Sequence, residues 1–220
     1  MKLNRITSAT IAVLAVVLTG NASAADLAVG ITRTMSKFEG TVNGEKVTII
    51  RDQNQSATVN SAFAKTSRKC PPFCIQPGHL APGVETIGEL EIIEYVKKMA
   101  GGDDSILLID SRTPNWVEKG TIPGAVNLPW TKLNPAKGAD PISISEIFTG
   151  QFGAKEMEGL WDFSEAKTLV LFCNGMWCGQ SPNNIQNLLR FGYPPHKIKW
   201  YRGGMQDWEI LGLGTSKPKS

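Results

Sequence analysis

The sequence predicts an α/β domain, a parallel sheet covered by helices on both faces, carrying a small N-terminal β appendage. Three observations lead there. Short apolar runs at Ile106 to Ile109, Ala125 to Leu128, Thr168 to Phe172 and Ile198 to Tyr201 are separated by segments of helical spacing. The runs lack an apolar–polar alternation, as strands buried on both faces do. Before residue 85 the texture is polar and β-like, centred on Asn43-Gly44, the strongest short hairpin signal.

The first residues stand apart from that globule. Lys2 and Arg5 give a positive start, Ile6 to Gly20 is an uncharged apolar or small-residue run, and Ala22-Ser23-Ala24 offers an A-x-A cleavage site. This pattern predicts a signal peptide over residues 1–24, and the run is short for a membrane anchor. The expected location is therefore periplasmic or secreted, with no membrane span after cleavage. Without Lys2 and Arg5 the balance is 21 basic to 20 acidic residues, which gives no footprint for nucleic acid or an anionic membrane. Export also places Cys70, Cys74, Cys173 and Cys178 where disulfides persist.

Residues 25–84 read as the β appendage and its connector. Phe38 to Val42 and Lys46 to Ile50 flank the Asn43-Gly44 turn, and Ala57-Thr58-Val59 is a third β-like piece. The Pro- and Gly-rich stretch CPPFCIQPGHLAPG reads as a rigid connector. The main domain is expected over 85–216, with 217–220 as a tail. Leu90, Ile93, Tyr95, Val96 and Met99 have helical spacing, and Gly101-Gly102 ends that helix. In the long segment 130–164, helices are expected around Ile142 to Phe148 and Ala154 to Leu160.

The most informative segment is Cys173 to Ser181, CNGMWCGQS. It lies between a buried strand and a helix announced by Ser181 as N-cap, Pro182 in the first turn and Gly192 as terminator. Ligands in open α/β sheets bind at the carboxyl ends of strands. Loop amides at Asn174, Gly175, Met176, Trp177, Gly179, Gln180 and Ser181, with the helix amino terminus, would form an anion cradle favouring a thiolate at Cys173. The alternative is a buried structural cysteine.

Over about residues 85–216 the chain resembles a rhodanese (sulfurtransferase) domain. Ile109-Asp110-Ser111-Arg112 is similar to the family's early strand with its Asp and Arg, a structural motif. Gly120-Thr121-Ile122-Pro123-Gly124-Ala125-Val126-Asn127-Leu128-Pro129 resembles its G-H-I-P-G-A-x-N-[IL]-P run, with Thr121 in place of His. Leu171-Phe172-Cys173 matches the strand that ends in the nucleophile. Gly192-Tyr193 and Arg202-Gly203-Gly204-Met205-Gln206-Asp207-Trp208 match the closing blocks. The resemblance implies five parallel strands and a catalytic Cys173 persulfide, filled by a sulfane-sulfur donor and emptied onto a thiol acceptor, small molecule or protein. It implies no cofactor. The family's cradle commonly places Arg and Ser after four intervening residues; here six intervene, and Gln180 precedes Ser181, so the cradle is larger and lacks its cation. Thiosulfate as donor therefore does not carry over.

Cys178 keeps other readings open. It is suited to resolve a Cys173 persulfide or sulfenic acid, to form a dithiol/disulfide couple with Cys173, or to lock the loop in a catalytically silent domain. For Cys70 and Cys74 the leading expectation is a structural disulfide. A redox pair, or a metal site with His79, are the alternatives, and no metal is assigned; the spacing is wrong for haem attachment. His196, after Pro194-Pro195, reads as a surface residue. Trp161, Trp200 and Trp208 read as packing anchors.

Overall fold

A computed structural model describes residues 27–217. The signal peptide assigned to 1–24 and the last three residues of the tail lie outside the described residues. Strands β1 (Lys37–Val42) and β2 (Glu45–Ile50) form the antiparallel hairpin, with Val42 opposite Glu45. Asn43 at φ 51° and Gly44 at φ 79° make its tight turn, the left-handed pair that matches strand twist. Ala57-Thr58-Val59 is not a strand. After Ile50, Arg51 bridges to Leu213, and its side chain donates to the Leu211 carbonyl at 2.6 Å. The edge that a third strand would have used is thus partly taken by the C-terminal segment.

The main sheet comprises β3 (Glu85–Ile87), β4 (Ile106–Asp110), β5 (Val126–Asn127), β8 (Thr168–Phe172) and β9 (Ile198–Tyr201), in the order β3-β9-β8-β4-β5. All four pairings are parallel. Between them run α1 (Glu89–Ala100), α2 (Pro114–Val117), α3 (Pro141–Gly150), a hairpin of β6 (Lys155–Met157) and β7 (Leu160–Asp162), α4 (Gln180–Arg190) and, after β9, α5 (Gly204–Ile210). Strand pleating sends alternate residues to opposite faces. Leu107, Ile109, Leu169 and Leu171 face a core with α3 and α4, whereas Ile106, Leu108, Val170 and Phe172 face one with α1 and α5. The hairpin contributes Val42, Val47 and Ile49 to that second core, so the N-terminal region is packed into the main domain. Truncating a fully buried residue such as Leu171 to Ala would cost about 2–5 kcal/mol.

Two further sequence expectations are corrected. The segment from Ala154 to Leu160 is not a helix: Glu158 at φ 53° and Gly159 at φ 80° form a turn that pairs β6 with β7. In α1 the buried face is Ile92, Ile93, Val96 and Met99, while Leu90 is 48% exposed at the first turn. The helix from Pro141 and the terminating Gly192, at φ 86°, follow the sequence signals.

Candidate active site

Two neighbouring strands end side by side at the site. At the end of β4, Asp110 and Arg112 are fully buried and bonded. Arg112 Nη2 donates to Asp110 Oδ2 and to the Gly120 carbonyl, each at 2.6 Å, and Nε donates to Asp110 Oδ1 at 2.9 Å. Thr121 Oγ1 completes the set by donating to Asp110 Oδ2 at 2.7 Å. A buried charge pair is tolerable only when its remaining valences are filled in this way. Arg112 Nη1 also reaches Asn174 Oδ1 at 3.4 Å, linking this network to the thiol loop.

At the end of β8, Cys173 and Cys178 are disulfide-bonded, their Cα atoms 6.4 Å apart, and both are buried, at 2% and 4% exposure. The loop between them is clamped by α5: the Met205 and Gln206 amides donate to the Cys173 and Asn174 carbonyls at 2.9 and 3.0 Å. Gly204, at φ 57°, permits that approach, because a Cβ there would collide with the Cys173 carbonyl oxygen. The Cys178 amide closes a turn onto the Gly175 carbonyl at 2.9 Å. Gln180 Oε1 lies 3.9 Å from the Cys178 sulfur.

The helix start differs from the sequence reading. Helix α4 begins at Gln180 with Gly179 as N-cap, directly after Cys178 in the chain. Ser181 is not a cap: it is buried, and its hydroxyl accepts from the Trp200 indole at 3.1 Å. That hydrogen bond ties the helix to the sheet.

The connector lies against the loop. Cys70 and Cys74 form a disulfide. The Gln76 amide donates to the Met176 carbonyl at 2.8 Å, and Arg202 Nη2 donates to the Gln76 carbonyl at 2.8 Å. Phe73 meets Trp177 edge-on at 5.6 Å, and the Arg68 guanidinium lies 3.7 Å from the Trp177 ring centre. Trp177 Nε1 donates to Gln206 Oε1 at 2.8 Å, and Gln206 Nε2 donates to the Phe63 carbonyl at 3.0 Å. These parts enclose a cleft of about 370 Å³, within the size range of small-molecule sites. Its wall includes Arg68, Phe73, Trp116, Trp130, Asn174, Trp177, Cys178 and Gln180, but not Cys173.

Sequence reasoning singled out the loop and missed Arg68, Phe73, Trp116 and Trp130 as parts of a site. Trp116 follows β4 and Trp130 follows β5, and residues just beyond strand carboxyl ends are where a crevice forms, so both had a signal. Arg68 had none, because only the fold of the connector brings it there.

The rhodanese-like domain family profile matches residues 93–211, more than half of the chain. The chain belongs to the rhodanese-like domain family. In this rhodanese-like protein the matched region spans β4 through α5 and contains both cysteines of the loop. A comparison with curated proteins found no significant match. Among solved structures, a Rhodopseudomonas palustris protein of unknown function described as a possible tyrosine phosphatase shares 20% identity, with TM-score 0.42, over 62% of this chain and 88% of its own. The human single-domain sulfurtransferase shares 22% identity, with TM-score 0.36, over 57% of this chain and 95% of its own. The thiosulfate sulfurtransferase of Pseudomonas aeruginosa shares 15% identity, with TM-score 0.38, over 62% of this chain and 21% of its own. No helix among the described residues is long and apolar enough to cross a membrane.

Proposed function

We propose that this rhodanese-like protein is an exported sulfurtransferase-type carrier in which Cys173 takes up sulfane sulfur and Cys178 helps discharge it. The observation that carries the reading is the bonded Cys173–Cys178 pair at the carboxyl end of β8, with Cys178 opening onto a cleft. In the reduced protein the Cys173 thiolate attacks the outer sulfur of a donor X–S⁻. The bond to X breaks, X leaves with the electron pair, and Cys173 becomes a persulfide. A thiolate acceptor then attacks the outer sulfur, taking it as R–S–S⁻ and restoring the Cys173 thiolate. Alternatively, once the outer sulfur has taken a proton from water, the Cys178 thiolate attacks the Cys173 Sγ, expels hydrosulfide and forms the disulfide seen here. External thiols return that disulfide to the dithiol. No His adjoins the loop in sequence, and a thiolate formed before attack needs no base. The export assignment comes from the Lys2-to-Ala24 pattern.

Sulfide release tests the cycle. Reduced protein mixed with polysulfide, in the absence of other thiols, should release hydrosulfide as the Cys173–Cys178 disulfide appears. The disulfide itself favours a second reading, a dithiol/disulfide couple that exchanges with partners and never carries sulfur. Disulfide exchange with partner thiols, but no persulfide on Cys173 when Cys178 is replaced by Ser, would establish that reading instead.

A further inference from the structure

The two sulfurs of the loop disulfide are not equivalent. Cys178 forms part of the cleft wall, whereas Cys173 does not and is 2% exposed at the end of a buried strand. A thiol that reopens the bond must meet one sulfur in line with the other, and the cleft offers Cys178. The cleft is also chemically one-sided. Its aromatic wall consists of Phe73, Trp116, Trp130 and Trp177, and Arg68 is the one charged side chain among its described lining residues. Each of the three indoles carries a cation. Arg68 lies 3.7 Å from the Trp177 ring centre, Lys119 lies 4.3 Å from that of Trp116, and Lys137 lies 5.8 Å from that of Trp130. Arg68 Nε is buried and has no hydrogen-bond acceptor. None of the ion pairs among the described residues involves Arg68, so its guanidinium charge is available to pair with an anion in the cleft.

We infer that the loop disulfide is opened at Cys178 by a low-molecular-weight anionic thiol with a flat apolar body, held between the indoles with Arg68 as its counter-ion. The thiolate R–S⁻ attacks the Cys178 Sγ, the bond to Cys173 breaks, and the electron pair leaves on Cys173 as a thiolate. A second R–S⁻ attacks the R sulfur of the mixed disulfide, releasing R–S–S–R and the Cys178 thiolate. The oxidant and reductant balance: two thiols are oxidised to one disulfide, and one protein disulfide is reduced. Arg68 thereby returns, from the connector, the positive charge that Gln180 denies the loop.

This inference rests on the pair cycling between dithiol and disulfide, and its test does not depend on sulfur loading. In the full-length Cys173→Ala protein, Cys178 is a lone thiol in the same cleft. Its rate with 5,5′-dithiobis(2-nitrobenzoate), an anionic aromatic disulfide, is compared with its rate with neutral 4,4′-dithiodipyridine. The ratio cancels the intrinsic reactivity of the thiol. Arg68→Ala should lower the ratio about fivefold, the effect of one partly screened charge pair, and Arg68→Lys should restore most of it. An unchanged ratio overturns the proposal, as does a loss that Arg68→Lys leaves unrepaired. In the wild-type disulfide form, brief exposure to 5-thio-2-nitrobenzoate followed by alkylation should place the thiobenzoate on Cys178 and the alkyl group on Cys173 by tandem mass spectrometry. The reverse placement also overturns the proposal. Failure of these tests with persulfide loading intact would remove only the cleft's selectivity, whereas failed loading would remove the carrier reading.

Discussion

The molecule contains two disulfides of nearly equal span, joining cysteines 4 positions apart at Cys70 and Cys74 and 5 apart at Cys173 and Cys178, in opposite surroundings. The first sits on the surface of a proline-rich connector, with Cys70 exposed. The second is buried where a core strand ends, fastened by α5 and linked through Asn174 to the Asp110–Arg112 pair. Closing two such short loops has a similar entropic value. The difference in chemistry therefore comes from the environment. A surface bond in a connector holds a segment in place, whereas one facing a small-molecule-sized cleft has a partner's access built in.

The largest effect that separates the two bonds is chemical. Replacing Cys173 with Ala should abolish persulfide formation and sulfide release, whereas replacing Cys70 and Cys74 together with Ser should leave Cys173 loading intact. Loading that depended equally on both pairs would break the contrast. The next effect concerns the platform under the second bond. Arg112→Met leaves Asp110 as a buried, unpaired carboxylate and should destabilise the protein by about 3–5 kcal/mol in urea denaturation. A loss below about 1 kcal/mol would mean that the pair is not the buried anchor described.

A smaller effect is expected at the connector. Loss of the Cys70–Cys74 bond frees a very short loop and should cost about 2 kcal/mol by chain entropy. The smallest lies at Asp207 on α5, beside the loop clamp. Burial first, then the neighbouring Glu89 charge, raises its pKa, with Arg202 opposing. A carboxyl whose folded pKa is raised stabilises most when protonated, and that contribution fades as pH climbs from the unfolded pKa through the folded one. Asp207→Asn should therefore raise the denaturation midpoint slightly at pH 7 and leave it unchanged at pH 3. A larger gain at pH 3 would contradict the sign.

The sequence made most of the sheet legible because its strands are short, largely apolar and fenced by turn residues. Thr168 to Phe172 and Ile198 to Tyr201 are strands over those spans. The family resemblance implies a fifth strand without locating it; that strand is Glu85–Ile87, where three residues with an exposed Glu carry no periodic signal. The hairpin at Lys155–Asp162 was misread because Met157 and Leu160, three apart, suggest a helix, while the turn depends on backbone angles at Glu158 and Gly159. At the site, Cys173 and Cys178 stood out by residue type and spacing. Of the aromatic wall, Trp177 stood out as part of the loop, Trp116 and Trp130 carried only their places after strand ends, and Phe73 joins them only because the connector packs against the loop.

The central claim, that Cys173 bears the sulfur, is tested most directly by mass spectrometry of reduced protein carrying Cys178→Ser together with Cys70→Ser and Cys74→Ser, in which no internal thiol can discharge a persulfide. After exposure to thiosulfate, mercaptopyruvate and polysulfide in turn, the account predicts a gain of one sulfur atom with at least one donor, mapped to Cys173 and reversed by added thiol. No gain with any of the three, or a gain mapped elsewhere, would contradict it.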